Sequence, residues 1–196
     1  MPLQRTELLV LGATLLSVVV RTRQRQRRSI VVSDTSVITN LAGVDLLWLL
    51  HHYFGTIYVC PQVYAEMRSP APRNVAVKKV RAARWIRCHV VHDLAYAQRL
   101  MDENAHLDRG EAESIVLALE LPARRLLIDD GTGRAVARNL GIEIKGLLAM
   151  LIDAKNDALI RNVKPVMDAL MTEPFRFRIS PALYNEVLRL TGELDT

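Results

Sequence analysis

Five carboxylates occupy positions from which an α/β chain could direct them to one site. Asp34 ends a short β-branched run, Ser29–Ser33 (SIVVS), and the pair Asp129-Asp130 ends a very apolar one, Leu126–Ile128 (LLI). Acids at the carboxyl ends of parallel strands face the crevice where such sheets bind ligands. Glu66 lies on a helical stretch beyond a strand at Thr56–Cys60, beside the face made by Val63, Tyr64 and Met67. Glu111 opens the helical stretch that precedes LLI and shares its side with Ile115 and Ala118, whereas Glu113 and Glu120 fall farther round, toward solvent. Carboxylates gathered in one crevice repel and raise one another's pKa unless a cation sits among them. Magnesium or manganese suits that role, because hard cations take oxygen ligands, keep waters and can activate one of them. The implied chemistry is metal-assisted hydrolysis of a phosphodiester.

Each acid also has a plain structural use. Asp34 could cap the following helix, Glu111 suits a first helical turn, Glu66 could be a solvated surface acid, and Asp129-Asp130 could form the turn before Gly131. The signal is their joint placement at strand ends and helix edges.

Alternating elements are needed to bring them together. After SIVVS, the residues Val37, Ile38, Leu41, Val44, Leu47, Trp48 and Leu50 recur at helical spacing until Gly55. Strand 56–60 leads into a helix with Pro61 at its first position; a helix over 74–84, a strand over 85–91 and a helix over 93–103 follow. Asp108 reads as the N-cap of a helix over 109–121, LLI as a strand, 131–140 as a helix ended by Gly141, 142–144 as a strand and 146–155 as a helix. Helices over 163–171 and 181–190, joined by EPFRFRIS, finish the same core. This alternation predicts an α/β fold whose central sheet is mostly parallel and covered on both faces.

The chain has 196 residues, half of them hydrophobic, enough for one substantial core. Its formal net charge of +5 belongs entirely to residues 1–28, which hold six Arg and one Glu; the rest is neutral. The pI therefore says nothing by itself about the main domain's partner. Leu8–Val20 is an apolar run of 13 residues, short of the roughly 20 that a membrane-spanning helix needs. The RTRQRQRR that follows does not suit a cleaved signal. An interfacial anchor, a nucleic-acid-touching arm and upstream codons translated from a misassigned start are the readings open to this segment, and we favour the last. The domain plan is an N-terminal extension over 1–28, one domain over 29–190 and a tail over 191–196. Composition excludes disordered, low-complexity and disulfide-framework classes, and Cys60 and Cys88 read as buried reduced thiols in a cytoplasmic protein.

The segments VVSDTSVITNL (31–41), LDRGEAESIVLALE (107–120), RLLIDDGTGRAVARNLGI (125–142) and RISPALYNEVL (178–188) resemble PIN-domain proteins. The likeness is to the prokaryotic branch of nucleic-acid-binding PIN-like proteins and covers about residues 30–190. It implies a three-layer α/β/α PIN-like fold with extra C-terminal helices and a Mg2+- or Mn2+-dependent endoribonuclease. It also implies the toxin of a toxin–antitoxin pair, held by a small antitoxin-like partner, and self-association into a homo-oligomer. Carried over to this sequence, the catalytic, metal-holding acids are Asp34, Glu66, Glu111 and either Asp129 or Asp130. Asp130 is preferred, because the family places its acid two positions past the last strand hydrophobe. Thr35, Ser36 and Asn40 match polar positions that would orient metal-bound water. Glu111 stands where many PIN nucleases carry Asp, one methylene shorter. A PIN fold that binds RNA or a protein with little turnover is the rival reading, and a membrane-associated regulator using residues 8–28 is a third.

For RNA, the sequence offers a basic stretch. Met67–His92 contains Arg68, Arg73, Lys78, Lys79, Arg81, Arg84 and Arg87 and no acid. Lys78, Arg81, Arg84 and Trp85 could share one helical face, giving phosphate contacts with an aromatic at the edge. The alternative is a solvated face above buried Val75, Val77 and Val80.

Overall fold

The computed structural model describes residues 29–68, 77–172 and 177–194. The expected 1–28 extension, Arg73 and Val75 lie outside the described residues. From the N-terminal side, β1 (Val31–Ser33) leads to α1 (Thr35–Gly43) and α2 (Trp48–Phe54), and β2 (Ile57–Val59) to α3 (Pro61–Arg68) and α4 (Val77–Ala82). Next come β3 (Ile86–Cys88), α5 (Leu94–Glu103) and α6 (Arg109–Glu120), then β4 (Arg125–Leu127), α7 (Gly131–Asn139) and β5 (Ile144–Lys145). The chain closes with α8 (Leu147–Asn156), α9 (Lys164–Met171) and α10 (Pro181–Thr191).

The five strands form one all-parallel sheet in the order β3-β2-β1-β4-β5. All three residues of β1 are buried, as expected of a central strand covered on both faces. The chain builds outward from β1 to β2 and β3, then returns to place β4 on β1's other side. The boundary between β1 and β4 is therefore the topological switch point, where a crevice opens at the strands' carboxyl ends. Register there is set by Val31 opposite Arg125, Val32 opposite Leu126 and Ser33 opposite Leu127, and the Asp34 N–H continues the ladder to the Leu127 carbonyl at 2.9 Å. This is the three-layer α/β/α arrangement expected from the sequence.

Several boundaries differ from expectation for local reasons. The helical series after Asp34 breaks into α1 and α2 around Asp45, whose φ of 62° cannot continue a helix. Strand β4 ends at Leu127, so Ile128 is a buried residue beyond it. Cys88, expected to be buried, is exposed, while Cys60 is buried; both are free thiols. Met167, Leu170, Val187 and Leu188 seat α9 and α10 on the common core. Among the described residues, no helix is long and apolar enough to cross a membrane.

The largest correction concerns α6. Gly110 through Ala118 are buried without a break, because β1, β4, α3, α5 and α7 all pack around this helix. Glu113 therefore does not face solvent: it is 3% exposed and accepts a 2.6 Å hydrogen bond from Nε of Arg109. Glu120, at the helix's last position, accepts from the backbone N–H groups of His92 and Asp93.

Candidate active site

Among the described residues, six carboxylates line a cleft of about 520 Å³ at the switch point: Asp34, Glu66, Asp108, Glu111, Asp129 and Asp130. Asp34 enters directly from β1. It is 6% exposed and caps α1, its Oδ2 accepting from the Ser36 N–H at 3.2 Å and the Ser36 hydroxyl at 2.9 Å. Capping and site placement are thus not alternatives for this residue. Glu66 projects from α3 and is held from two sides: the Thr35 hydroxyl donates to its Oε2 at 2.6 Å, and the Gln62 amide donates to its Oε1 at 2.8 Å.

Glu111 and Asp108 come together through a capping box. Asp108 Oδ1 accepts from the Glu111 N–H at 2.8 Å, and Glu111 Oε2 accepts from the Asp108 N–H at 3.2 Å. The sequence reading treated Asp108 only as a cap; the Asp-x-x-Glu spacing already signals two carboxylates at one helix N-terminus. Gly110 sits between Asp108 and Glu66, where a Cβ would lie 3.3 Å from Glu66 Oε1 and 3.4 Å from Asp108 Oδ1. The missing side chain lets the two acids approach the same space.

The Asp129-Asp130 pair divides its labour. Asp130 is exposed and caps α7, its Oδ1 accepting from the Thr132 and Gly133 N–H groups at 2.7 and 3.1 Å. Asp129 turns the other way, and its Oδ1 accepts from the Leu147 N–H at 2.8 Å. Its Oδ2 is buried with no hydrogen-bond partner among the described residues. Leaving a buried carboxylate oxygen unmatched is costly.

Electrostatics agree with that geometry. Burial pushes Glu111 up to about 8, with like charge from Asp108, Asp130 and Asp34 adding to it against one backbone hydrogen bond. Asp129 is raised to about 6, chiefly by burial and further by Asp34, with the Leu147 N–H and Arg134 opposing. Asp34 is also raised: burial outweighs its bonds from Ser36 and Thr35, and Asp108 adds repulsion. The set is crowded with oxygen donors and short of positive charge, which is what a hard divalent cation supplies. As the side chains stand, no group of three His, Cys, Asp or Glu among the described residues is arranged to hold one ion. Each acid is instead drawn to its own cap, hydroxyl or amide.

A family model, DUF3368, described as a PIN domain, matches residues 30–193. The chain belongs to the PIN-domain family. No curated protein matches it. The match spans every element from β1 to the end of α10. PIN domains have a nuclease-type fold, and in this member the strand-end acids meet at the switch point.

Of the supporting polar residues, Thr35 and Ser36 line the cleft, but their hydroxyls are spent on Glu66 and Asp34. Asn40 lies one turn beyond Ser36 on the same side of α1 and is not among the cleft's lining residues. The basic stretch does not form the single helical face expected of it. Helix α4 ends at Ala82, which leaves Arg84 and Trp85 beyond it, and Trp85 stacks on His51 with ring centroids 5.3 Å apart. Lys79 reaches the Ala42 carbonyl and pairs with Asp45; Arg81 donates to the Arg68 carbonyl; Lys78 and Arg84 are exposed. Two cleft residues went unread in the sequence: Phe177 and Arg178, from the connector between α9 and α10.

Proposed function

We propose that this PIN-domain protein is a Mg2+- or Mn2+-dependent endoribonuclease that hydrolyses RNA phosphodiester bonds in the acidic cleft. The observation that supports it most is the meeting of Asp34, from β1, with Asp129 and Asp130, after β4, across the switch point, with Glu66, Asp108 and Glu111 closing in from the helices. Asp34, Glu66, Glu111 and Asp130 are the residues that would hold the metal, with Asp129 joining them through Oδ2, which has no hydrogen-bond partner among the described residues. A bound divalent cation would offset the carboxylates' charge, polarise the phosphodiester and make a water more acidic.

The protein's own groups do the positioning. Thr35 and Gln62 fix Glu66, Ser36 fixes Asp34, and the α7 N-terminus fixes Asp130. The reaction adds the water oxygen to phosphorus and expels one ester oxygen, which leaves as a hydroxyl on taking a proton from solvent, while the attacking water gives up its proton to solvent or a cleft carboxylate. Pre-set donors at such a site lower the reorganisation needed during the reaction. Two free thiols suit a reducing cytoplasm. The family resemblance extends the proposal to the toxin of a toxin–antitoxin pair, whose small protein partner would silence this cleft.

The test is cleavage of structured and single-stranded RNAs by wild type and Asp34→Asn, each with Mg2+, Mn2+ or chelator. Cleavage confined to wild type with metal supports the proposal. RNA binding without cleavage under every metal condition replaces it with a binding module.

A further inference from the structure

We infer that Phe177 and Arg178 form the RNA-holding wall of the acidic cleft and direct it to single-stranded RNA, with Arg178 taking a phosphate next to the cleaved one and Phe177 stacking a base. This rests on the endoribonuclease proposal. Among the described residues, Arg178 is the one basic residue lining the cleft beside six carboxylates, and it pairs with none of them. An arginine placed to neutralise the acids would close on one of them, as Arg109 closes on Glu113. Arg178 remains exposed at the rim.

Its backbone is nevertheless fixed on both sides. The Phe177 N–H donates to the Leu170 carbonyl at 2.8 Å, Ile179 is buried, and the Ser180 hydroxyl caps α10 by accepting from the Leu183 N–H. Arg178 is thus held over the cleft without being tied to it. An RNA strand approaching six acids meets repulsion that a metal offsets only near the cleaved phosphate. A guanidinium at the rim gives the neighbouring phosphate a bidentate donor. Phe177, half-buried against the core and also lining the cleft, offers a ring beside it. Aromatic faces accept any unstacked base, whereas bases in a duplex have no free face to give.

The full chain carrying Asp34→Asn is titrated with a fluorescent single-stranded oligoribonucleotide and with its duplex, over a series of KCl concentrations. Arg178→Gln is expected to weaken single-strand binding roughly five- to twentyfold and to lower the salt slope by about 0.7, the value for one lost contact. Phe177→Leu, which keeps an apolar side chain on the core, is expected to weaken single-strand binding roughly fivefold or more and leave duplex binding unchanged. Arg138→Gln, on the exposed side of α7, is the charge control. In the cleaving background, Arg178→Gln should act mainly on KM. Equal effects of Arg178→Gln and Arg138→Gln overturn the assignment, and so does faster cleavage by Arg178→Gln, which would make Arg178 a restraint. Binding without cleavage by wild type defeats the nuclease proposal alone, and the slopes still decide the wall. Absence of RNA binding by wild type defeats both.

Discussion

The hydroxyl of Thr35 donates a 2.6 Å hydrogen bond to Oε2 of Glu66, tying the first residue after the β1 acid to the α3 acid 31 positions later. One side chain thus couples two walls of the cleft. The family resemblance implies that Thr35 orients metal-bound water; in the structure its hydroxyl donates to the Glu66 carboxylate. Outer hydrogen-bond partners of metal-holding carboxylates commonly contribute 10- to 100-fold in affinity or activity, roughly. Thr35→Val should therefore reduce metal-dependent cleavage by about that factor while Thr35→Ser keeps most of it. Activity against metal concentration, with melting temperature as the folding control, checks this; equal activity of Thr35→Val and wild type contradicts it.

Gly110→Ala separates stability from site geometry. Inside a helix the change normally stabilises by about 0.5–1 kcal/mol. Here the new methyl group would press on Glu66 and Asp108, each within 3.4 Å. The expected outcome is a melting temperature at or above wild type with cleavage reduced about tenfold. Unchanged cleavage would show that the space between these acids is not needed.

Without a cation, the crowded acids should make stability fall as pH rises. Glu111 ionises near 8 in the folded protein against an ordinary value of 4.5, so between those values the folded state holds the extra proton. Stability falls with pH wherever the folded state binds more protons than the unfolded one. Asp129 adds the same sign between 3.8 and about 6, and Asp34 shifts in the same direction. In chelator, the melting temperature should drop from pH 5 to pH 8, at roughly 2–4 °C per kcal/mol for a chain of this size. Mn2+ should restore it at pH 8 and do little at pH 5, and Glu111→Gln should flatten the fall. A melting temperature that climbs over this range in chelator would contradict the assignment.

How legible the site was depended on the range of the interaction that places each residue. Asp34 and Asp129-Asp130 could be read because strand ends are local features and parallel topology then fixes where they point. Asp108 was visible but under-read, since a capping box explains it completely without reference to Glu66. Glu113 was misplaced because helical periodicity assumes one wet side, and residues 110–118 of α6 have none. Phe177 and Arg178 reach the cleft through the packing of α9 and α10, a tertiary contact that no periodicity in the connector reports.

The basic stretch yields the remaining prediction. Lys79 bonds the Ala42 carbonyl and Asp45, near the C-terminal end of α1 and about 10 Å of helix rise from Thr35. There it serves the helix end, and its ion pair is exposed, so Lys79→Ala should cost about 0.5–1 kcal/mol and leave RNA affinity nearly intact. Lys78 and Arg84 are exposed and have no ion pair among the described residues, so the double change to Ala should spare the melting temperature. If RNA runs past this surface, that double variant lowers the salt slope of single-strand binding by about 1.4, two contacts' worth. Paired melting and salt-titration measurements decide the question. A slope unchanged in Lys78→Ala/Arg84→Ala leaves a solvated face, and a slope lowered by Lys79→Ala would mean that its bonds to α1 open to admit RNA.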